Sequence, residues 1–268
     1  MKIPNEPDLA ALVAFRDQLL GPLRNQVLTT DQLCEAGRLI CGRPEGLSLY
    51  GIPAPEMEAK GIWLLGRTTI ECSKDPHPAT VANVVAELQA ALPTTDGDAM
   101  IVDLFCGSGN FGHHLGQRLG HPVYASELDP VVYEATRNNL DRIGSTIELH
   151  LIGYRDLLGR LPARGDRDTY VIEPPWGLAL TPDGLDLTLT SPPVPEILND
   201  IRRSRRGVPC LVVIKTNDRI AHDSLNVLFR DAVHLRTITP EPTLPYGANP
   251  SFHIYRLGAS VRRSVPFG

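Results

Sequence analysis

Three acidic residues stand where short apolar runs end. Asp103 closes MIVD, Glu127 closes PVYASE and Glu173 closes TYVIE. Asp103 is followed by FCGSGNFG, in which Gly107, Gly109 and Gly112 fall in a G-x-G-x-x-G spacing. Glycines there let backbone approach a ligand closely, and a following helix offers its N-terminal N–H groups. Glu173 is followed by Pro174, Pro175 and Trp176. Proline cannot donate to a sheet ladder, so a strand stops at Glu173. A rigid turn then presents a carboxylate, a carbonyl and the largest aromatic together.

Two cofactor classes use such a glycine loop, dinucleotides and S-adenosylmethionine (SAM). Asp103 separates them. An acid at that point repels a pyrophosphate but favours the positively charged amino end of a methionine. Glu127 suits either class, because a carboxylate at the end of the next strand can accept both ribose hydroxyls. The second motif then reads as chemistry on an amine. An exocyclic amine on an aromatic ring is a poor nucleophile, since its lone pair is delocalised. The Glu173 carboxylate and the Pro174 carbonyl can accept its two N–H protons and direct that lone pair. Trp176 can stack on the ring and fix its plane.

The elements that must position these residues alternate regularly from about residue 99. Strands are predicted at 100–105, 122–128, 146–152, 169–173, 209–216, 233–239 and 251–257. Helices are predicted at 110–120, at 130–144 behind the N-cap Asp129 and Pro130, in the stretch ending RRSRRG, and near 223–232. Alternation of this kind implies an α/β fold, a mostly parallel sheet with helices on both faces. Residues 1–75 differ. They hold two amphipathic helices, the second opening on a Thr29–Gln32 capping box, and GIWLLGRTTIECS (61–73) reads as a hairpin. A further helix over 79–92 leads into the first strand. The reading is therefore a small, mainly helical extension over 1–75, serving as lid or substrate-binding region, and a catalytic domain over 76–268.

The run V-D-L-F-C-G-S-G-N-F-G, then Glu127, then E-P-P-W-G resembles the class I SAM-dependent methyltransferases over about residues 76–257. Within that class it is similar to enzymes that methylate nucleobase amino groups, the cap-guanosine N2 and 16S guanine-N2 types, which carry a D/N/S-P-P-Y/F/W motif. The resemblance implies a seven-stranded sheet whose last strand is antiparallel and inserted between strands five and six. It places the methionine part of SAM on the loop of Asp103, Phe105, Gly107, Gly109 and Asn110, and the ribose on Glu127. It offers Asp156 for the adenine, although Gly153-Tyr154 replaces the usual Gly-Asp step, and Thr80 of PHPAT as a further SAM contact. Glu173, Pro174 and Trp176 take the catalytic positions, with Pro175, Trp176, Tyr246 and Lys215 around the substrate. Glu173 is one methylene longer than the Asp of the motif, which leaves the methylated atom open.

The totals are those of an ordinary globular chain: 268 residues, 42% hydrophobic, 21% charged, formal net charge -5. An acidic balance argues against a broad electrostatic footprint for duplex nucleic acid. No window approaches the length of a membrane span, and the N-terminus lacks a signal-peptide core. Five scattered cysteines without C-x-x-C pairs, and histidines without metal spacing, predict a reduced, cytoplasmic, metal-free protein. Cys106 reads as a packing residue, because methyl transfer from a sulfonium needs no enzyme nucleophile. The four arginines of RRSRRG complement a helix dipole, form a solvated face or contact RNA phosphates. The sequence thus predicts a methyltransferase that uses SAM on a nitrogen of a planar, nucleobase-like substrate in RNA or a nucleoside. The alternatives are a methyltransferase of a small specialised metabolite and a non-catalytic SAM-binding protein.

Overall fold

The computed structural model describes residues 6–92, 99–241, 244 and 248–258. The chain opens with α1 (Glu6–Leu20) and α2 (Thr30–Cys41). Both halves of the Thr29–Gln32 capping box form, and Gly42 ends α2 in the left-handed region. A short hairpin follows, β1 (Ser48–Leu49) and β2 (Ile52–Pro53), then α3 (Ala54–Met57). Tyr50 and Gly51 make its two-residue turn, both at positive φ.

Residues 61–73 are not the hairpin their pattern predicts. Leu65 makes a single antiparallel bridge to Val27, and the chain then winds into α4 (Gly66–Glu71). The Thr-Thr-Ile run has strand propensity, but burial of Gly66 to Thr69 overrides it, and the Thr69 hydroxyl bonds back to the Leu65 carbonyl. The next helix, α5 (Pro76–Ala90), starts three residues before the predicted 79.

The remaining elements are β3 (Ile101–Asp103), α6 (Asn110–Leu119), β4 (Val123–Glu127), α7 (Pro130–Arg142), β5 (Glu148–Leu151), α8 (Tyr154–Arg160) and β6 (Thr169–Ile172). A two-strand flap, β7 (Leu180–Thr181) and β8 (Gly184–Leu185), precedes α9 (Val194–Arg205). The chain continues through β9 (Cys210–Asn217), α10 (His222–Leu228), β10 (Ala232–Ile238) and β11 (Pro250–Leu257). Seven strands form one sheet in the order β10-β11-β9-β6-β3-β4-β5. β9, β6, β3, β4 and β5 are parallel neighbours, and β11 lies antiparallel between β9 and β10. This is the predicted α/β sheet, with its last strand inserted where the resemblance implied.

Alternation along the strands divides the core. Ile101, Val171 and Val213 face α5 and α6, while Val102, Tyr170 and Val212 face α8, α9 and α10. The N-terminal segment has its own cluster around Leu33, Leu47, Met57 and Leu64. That cluster extends onto Leu140 of α7 and onto Leu149 of β5. Both backbone polar groups of Trp63 bond the Asn139 amide of α7, which fixes the segment to the main sheet unit.

The arginines of RRSRRG are not one solvated cluster. Arg205 is 2% exposed and reaches Asp168, the Tyr170 hydroxyl and three carbonyls. Arg203 pairs with Asp200. These residues end α9 just before β9 begins, at the sheet edge opposite Asp103. They do not border the glycine loop.

Candidate active site

Parallel β3, β4, β6 and β9 bring Asp103, Glu127, Glu173 and Lys215 to one edge of the sheet, where ligands bind in open α/β folds. Asp103 is the last residue of β3 and 1% exposed. Its neighbour on α6 is Gly112. A Cβ there would stand 3.3 Å from the Asp103 carboxylate, so glycine lets the helix close over it. Burial, then the nearby Glu173 charge, push the Asp103 carboxyl up to about 8, against the pull of the Gly112 and Phe105 N–H groups. One carboxylate oxygen, Oδ2, is buried with no hydrogen-bond partner. An orphaned buried acid oxygen is costly unless a ligand completes it.

The glycine loop turns at Gly107 and Gly109, at φ 51° and 73°. Glu127 folds onto it. Its Oε2 accepts from the Gly107 N–H at 3.1 Å, and Oε1 accepts from Leu128 and Asp129 at 2.8 Å each. Burial raises the Glu127 carboxyl in spite of those bonds. A carboxylate has about four acceptor positions, so one remains on Oε2. To take both hydroxyls of a diol, Glu127 must turn away from Gly107.

Asn110, the first residue of α6, is buried, and its amide is used within the chain. It donates to the Ser73 carbonyl at 2.9 Å and accepts from the Tyr50 N–H at 2.8 Å. The Tyr50 hydroxyl in turn donates to the Ser108 carbonyl. The N-terminal segment is therefore clamped over the loop by Tyr50 and Ser73, two residues that sequence reasoning did not single out.

At the end of β6, Glu173 meets two donors. The Ser73 hydroxyl lies 3.0 and 3.3 Å from its two oxygens, and Lys215 Nζ lies 3.4 Å from Oε2. Lys215 also donates to the Glu71 carbonyl at 3.0 Å and stands 6.0 Å from the centre of the Trp176 ring. Pro174 is buried, Pro175 is exposed, and Trp176 is half-buried. The turn is held by the Ser191 N–H on the Pro175 carbonyl and the Ala179 N–H on the Trp176 carbonyl. Leu178, in the single helical turn that leads into the flap, is 90% exposed.

Other predicted residues stand apart. The Phe105 ring packs 5.2 Å from Tyr154, and the Tyr154 hydroxyl bonds Asp200. Asp156 is exposed in the first turn of α8, where an acid suits the helix dipole. The Thr80 hydroxyl is spent on the Pro76 carbonyl inside α5. Tyr246 lies outside the described residues. Asn249, just before β11 and not among the predicted residues, braces its loop through Leu244 and Asp218.

Cys106 is buried, and burial followed by the Asp103 and Glu127 charges holds its thiol well above the usual range. Only the thiolate is reactive. Iodoacetamide at pH 7.5 is therefore expected to leave Cys106 unmodified in the folded protein, as read by peptide mass spectrometry; rapid labelling would contradict that. Among the described residues, no group of three His, Cys, Asp or Glu side chains could hold a metal ion. None of the described helices is long and apolar enough to cross a membrane.

The charge of the acidic edge suits SAM. Asp103 Oδ2 lacks a partner, two further carboxylates stand near it, and a Cβ at Gly107 would meet open space, whereas Gly109 is buried against Thr136 and Leu140. A ligand with an ammonium and a sulfonium matches that acidic acceptor set.

No family model matches the chain, and no curated protein matches it. Solved structures do resemble it. A precorrin-6y C5,15-methyltransferase from Geobacter metallireducens GS-15 aligns at 15% identity and TM-score 0.44, over 67% of this chain and 88% of that one. The N-methyltransferase NodS from Bradyrhizobium japonicum WM9 aligns at 11% identity and TM-score 0.45, over 68% and 95%. An rRNA methylase from Streptococcus thermophilus aligns at 17% identity and TM-score 0.41, over 66% and 94%. The strand order of this chain, with β11 antiparallel between β9 and β10, is the one that the resemblance in the sequence implies.

Proposed function

We propose that the chain is a SAM-dependent methyltransferase acting on a nitrogen of a planar, nucleobase-like substrate, an exocyclic amine in a nucleoside or RNA. The observation that carries this reading is the pairing of two features on adjacent strands. Asp103 keeps a buried, partnerless carboxylate oxygen beside a glycine loop, and Glu173 leads into the Pro-Pro-Trp turn on the neighbouring strand. Bound SAM would supply an electrophilic methyl group on a sulfonium. Asp103 holds the amino end, Gly107 and Gly109 admit the methionine part, and Glu127 receives the ribose. Glu173 and the Pro174 carbonyl accept the amine protons, and Glu173 takes up the proton that the methylated nitrogen sheds. Trp176 stacks on the acceptor ring. Alignment of this kind, with reacting atoms about 3 Å apart, supplies much of the rate.

A small acceptor has one observation in its favour. Arg205 is buried on Asp168 at the far sheet edge, and Lys215 is paired with Glu173, so these two cations are not free for a phosphate backbone. Incubation with SAM and guanosine, adenosine, cytidine or total RNA is expected to add 14 mass units to one acceptor, roughly the mass of one CH₂ inserted. Uptake by RNA alone, with binding that weakens steeply with salt, favours the polymer. No uptake by any of the four overturns the nucleobase assignment.

Trp176→Ala separates the two halves of the site. Aromatic stacking is worth about 1–3 kcal/mol per base, so turnover is expected to fall about ten- to a hundredfold. S-adenosylhomocysteine affinity, read by calorimetry, should stay within about threefold of wild type. Loss of that affinity in the variant would move Trp176 into the cofactor site.

A further inference from the structure

Ser73 touches both halves of the site through different atoms. Its carbonyl accepts from Asn110, the first residue after the glycine loop, at 2.9 Å. Its hydroxyl donates to Glu173, straddling the two oxygens at 3.0 and 3.3 Å. Its residue is 4% exposed, and its segment is anchored on either side. Lys74 Nζ bonds the Ile70 and Cys72 carbonyls, and Asp75 accepts from the Gly51 N–H at 2.9 Å and from His114 at 2.7 Å. A hydroxyl on so constrained a backbone has little freedom to follow a moving partner. Glu173, by contrast, carries one more rotatable bond than the aspartate usual in this type of motif. A carboxylate on a longer arm needs an external stop to hold one position.

We infer that Ser73 is a positioning residue for Glu173: its hydroxyl, on a segment fixed to the cofactor loop, holds that carboxylate toward the point of methyl transfer. The inference rests on the methyltransferase reading of the site. It assigns part of the N-terminal segment to acceptor geometry, beyond a lid or a grip. Serine fits the task because a neutral donor orients the carboxylate while adding no second cation to the one Lys215 already brings. Lys215, the second donor, lies 3.4 Å from Oε2, the oxygen that the Ser73 hydroxyl also reaches at 3.3 Å.

The test uses two cofactor analogues and needs no acceptor. S-adenosylhomocysteine has a bare thioether at the transfer point. Sinefungin carries an amine there, which a well-placed carboxylate recognises. Calorimetry on the full chain is expected to show wild type preferring sinefungin by about tenfold or more, as befits one added charged hydrogen bond. Glu173→Gln should lose most of that preference. Ser73→Ala keeps its carbonyl on Asn110, so S-adenosylhomocysteine affinity should stay within about threefold while the sinefungin preference collapses toward that of Glu173→Gln. Ser73→Thr, which restores the hydroxyl, should restore the preference.

The inference is overturned if Ser73→Ala keeps the wild-type preference. It is also overturned if Ser73→Ala weakens both analogues equally, which marks a merely structural serine, or if wild type shows no preference at all. Failure of wild type to bind either analogue is a different result and removes the SAM reading itself.

Discussion

Asp103→Asn is expected to unfold at a higher temperature than the wild-type chain at pH 8, and to bind S-adenosylhomocysteine about thirty- to a hundredfold more weakly. Both effects come from one buried carboxyl. In the folded chain it titrates at about 8, against 3.8 for the ordinary group, with burial the larger cause and Glu173 the second. The sign follows from proton counting. Between those two values the folded state binds more protons at this site than the unfolded state, so stability falls as pH rises through the interval and levels off above about 8. Each pH unit of that gap is worth about 1.4 kcal/mol at most, so the ionised Asp103 costs on the order of a few kcal/mol at pH 8. Asparagine keeps the shape and carries no charge to desolvate.

The same substitution removes the anion that meets the amino end of the cofactor. In wild type, binding should also release a proton, because the ligand favours the ionised carboxylate. Affinity should then rise up to about tenfold per pH unit until about 8. Thermal melts at pH 5 and pH 8, with calorimetry in two buffers of different ionisation enthalpy, read all three quantities. A variant that melts lower at pH 8, or binds as tightly as wild type, refutes the assignment of Asp103.

The second large effect lies at the opposite sheet edge. Asp168 is fully buried. Its Oδ1 accepts from the Met100 N–H at 3.0 Å, and its Oδ2 from Arg164 and Gly165 N–H and from Arg205 at 2.7 Å. This knot joins the start of β3, the start of β6 and the end of α9. Removing the cation leaves a buried carboxylate without its counter-charge, which costs about 3–5 kcal/mol. Arg205→Leu is therefore expected to lower the urea midpoint sharply with little change in m-value. Asp168→Asn combined with Arg205→Leu should recover part of the loss, because the orphaned charge is gone. Equal stability of wild type and Arg205→Leu would return Arg205 to the surface role suggested by its neighbours in the sequence.

The parts of the site that were legible in the sequence are contiguous ones. Strand, glycine loop and helix follow one another within 102–112, so spacing alone could place Asp103 and the glycines. The sheet was legible because apolar runs such as CLVVIK and TYVI are buried on both faces and alternate with helices. Ser73 was not, because its partners lie 37 and 100 residues away, and a serine before a proline-rich helix start carries no periodic signal. Asn110 looked like a ligand from its place in the motif. Its amide instead joins two remote backbones, a use that only tertiary structure reveals. Arg205 looked like one of four equivalent arginines, and only the turn of α9 toward the sheet sets it inside. The 61–73 hairpin failed because β-branched residues report local preference, while the burial of α4 is decided by contacts far along the chain.

The place of β11 has a consequence for how the molecule is made. It is the last strand of the sheet in the sequence but not an edge strand: it separates β9 from β10 and pairs along its length with β9. During synthesis, β10 emerges first and has no partner to join. Until residues 250–257 follow, β9 presents an open, almost wholly buried-type apolar ladder, the kind of edge that pairs with other chains. A stalled or truncated chain ending near residue 249 would therefore lose two strands rather than one, and would be sticky.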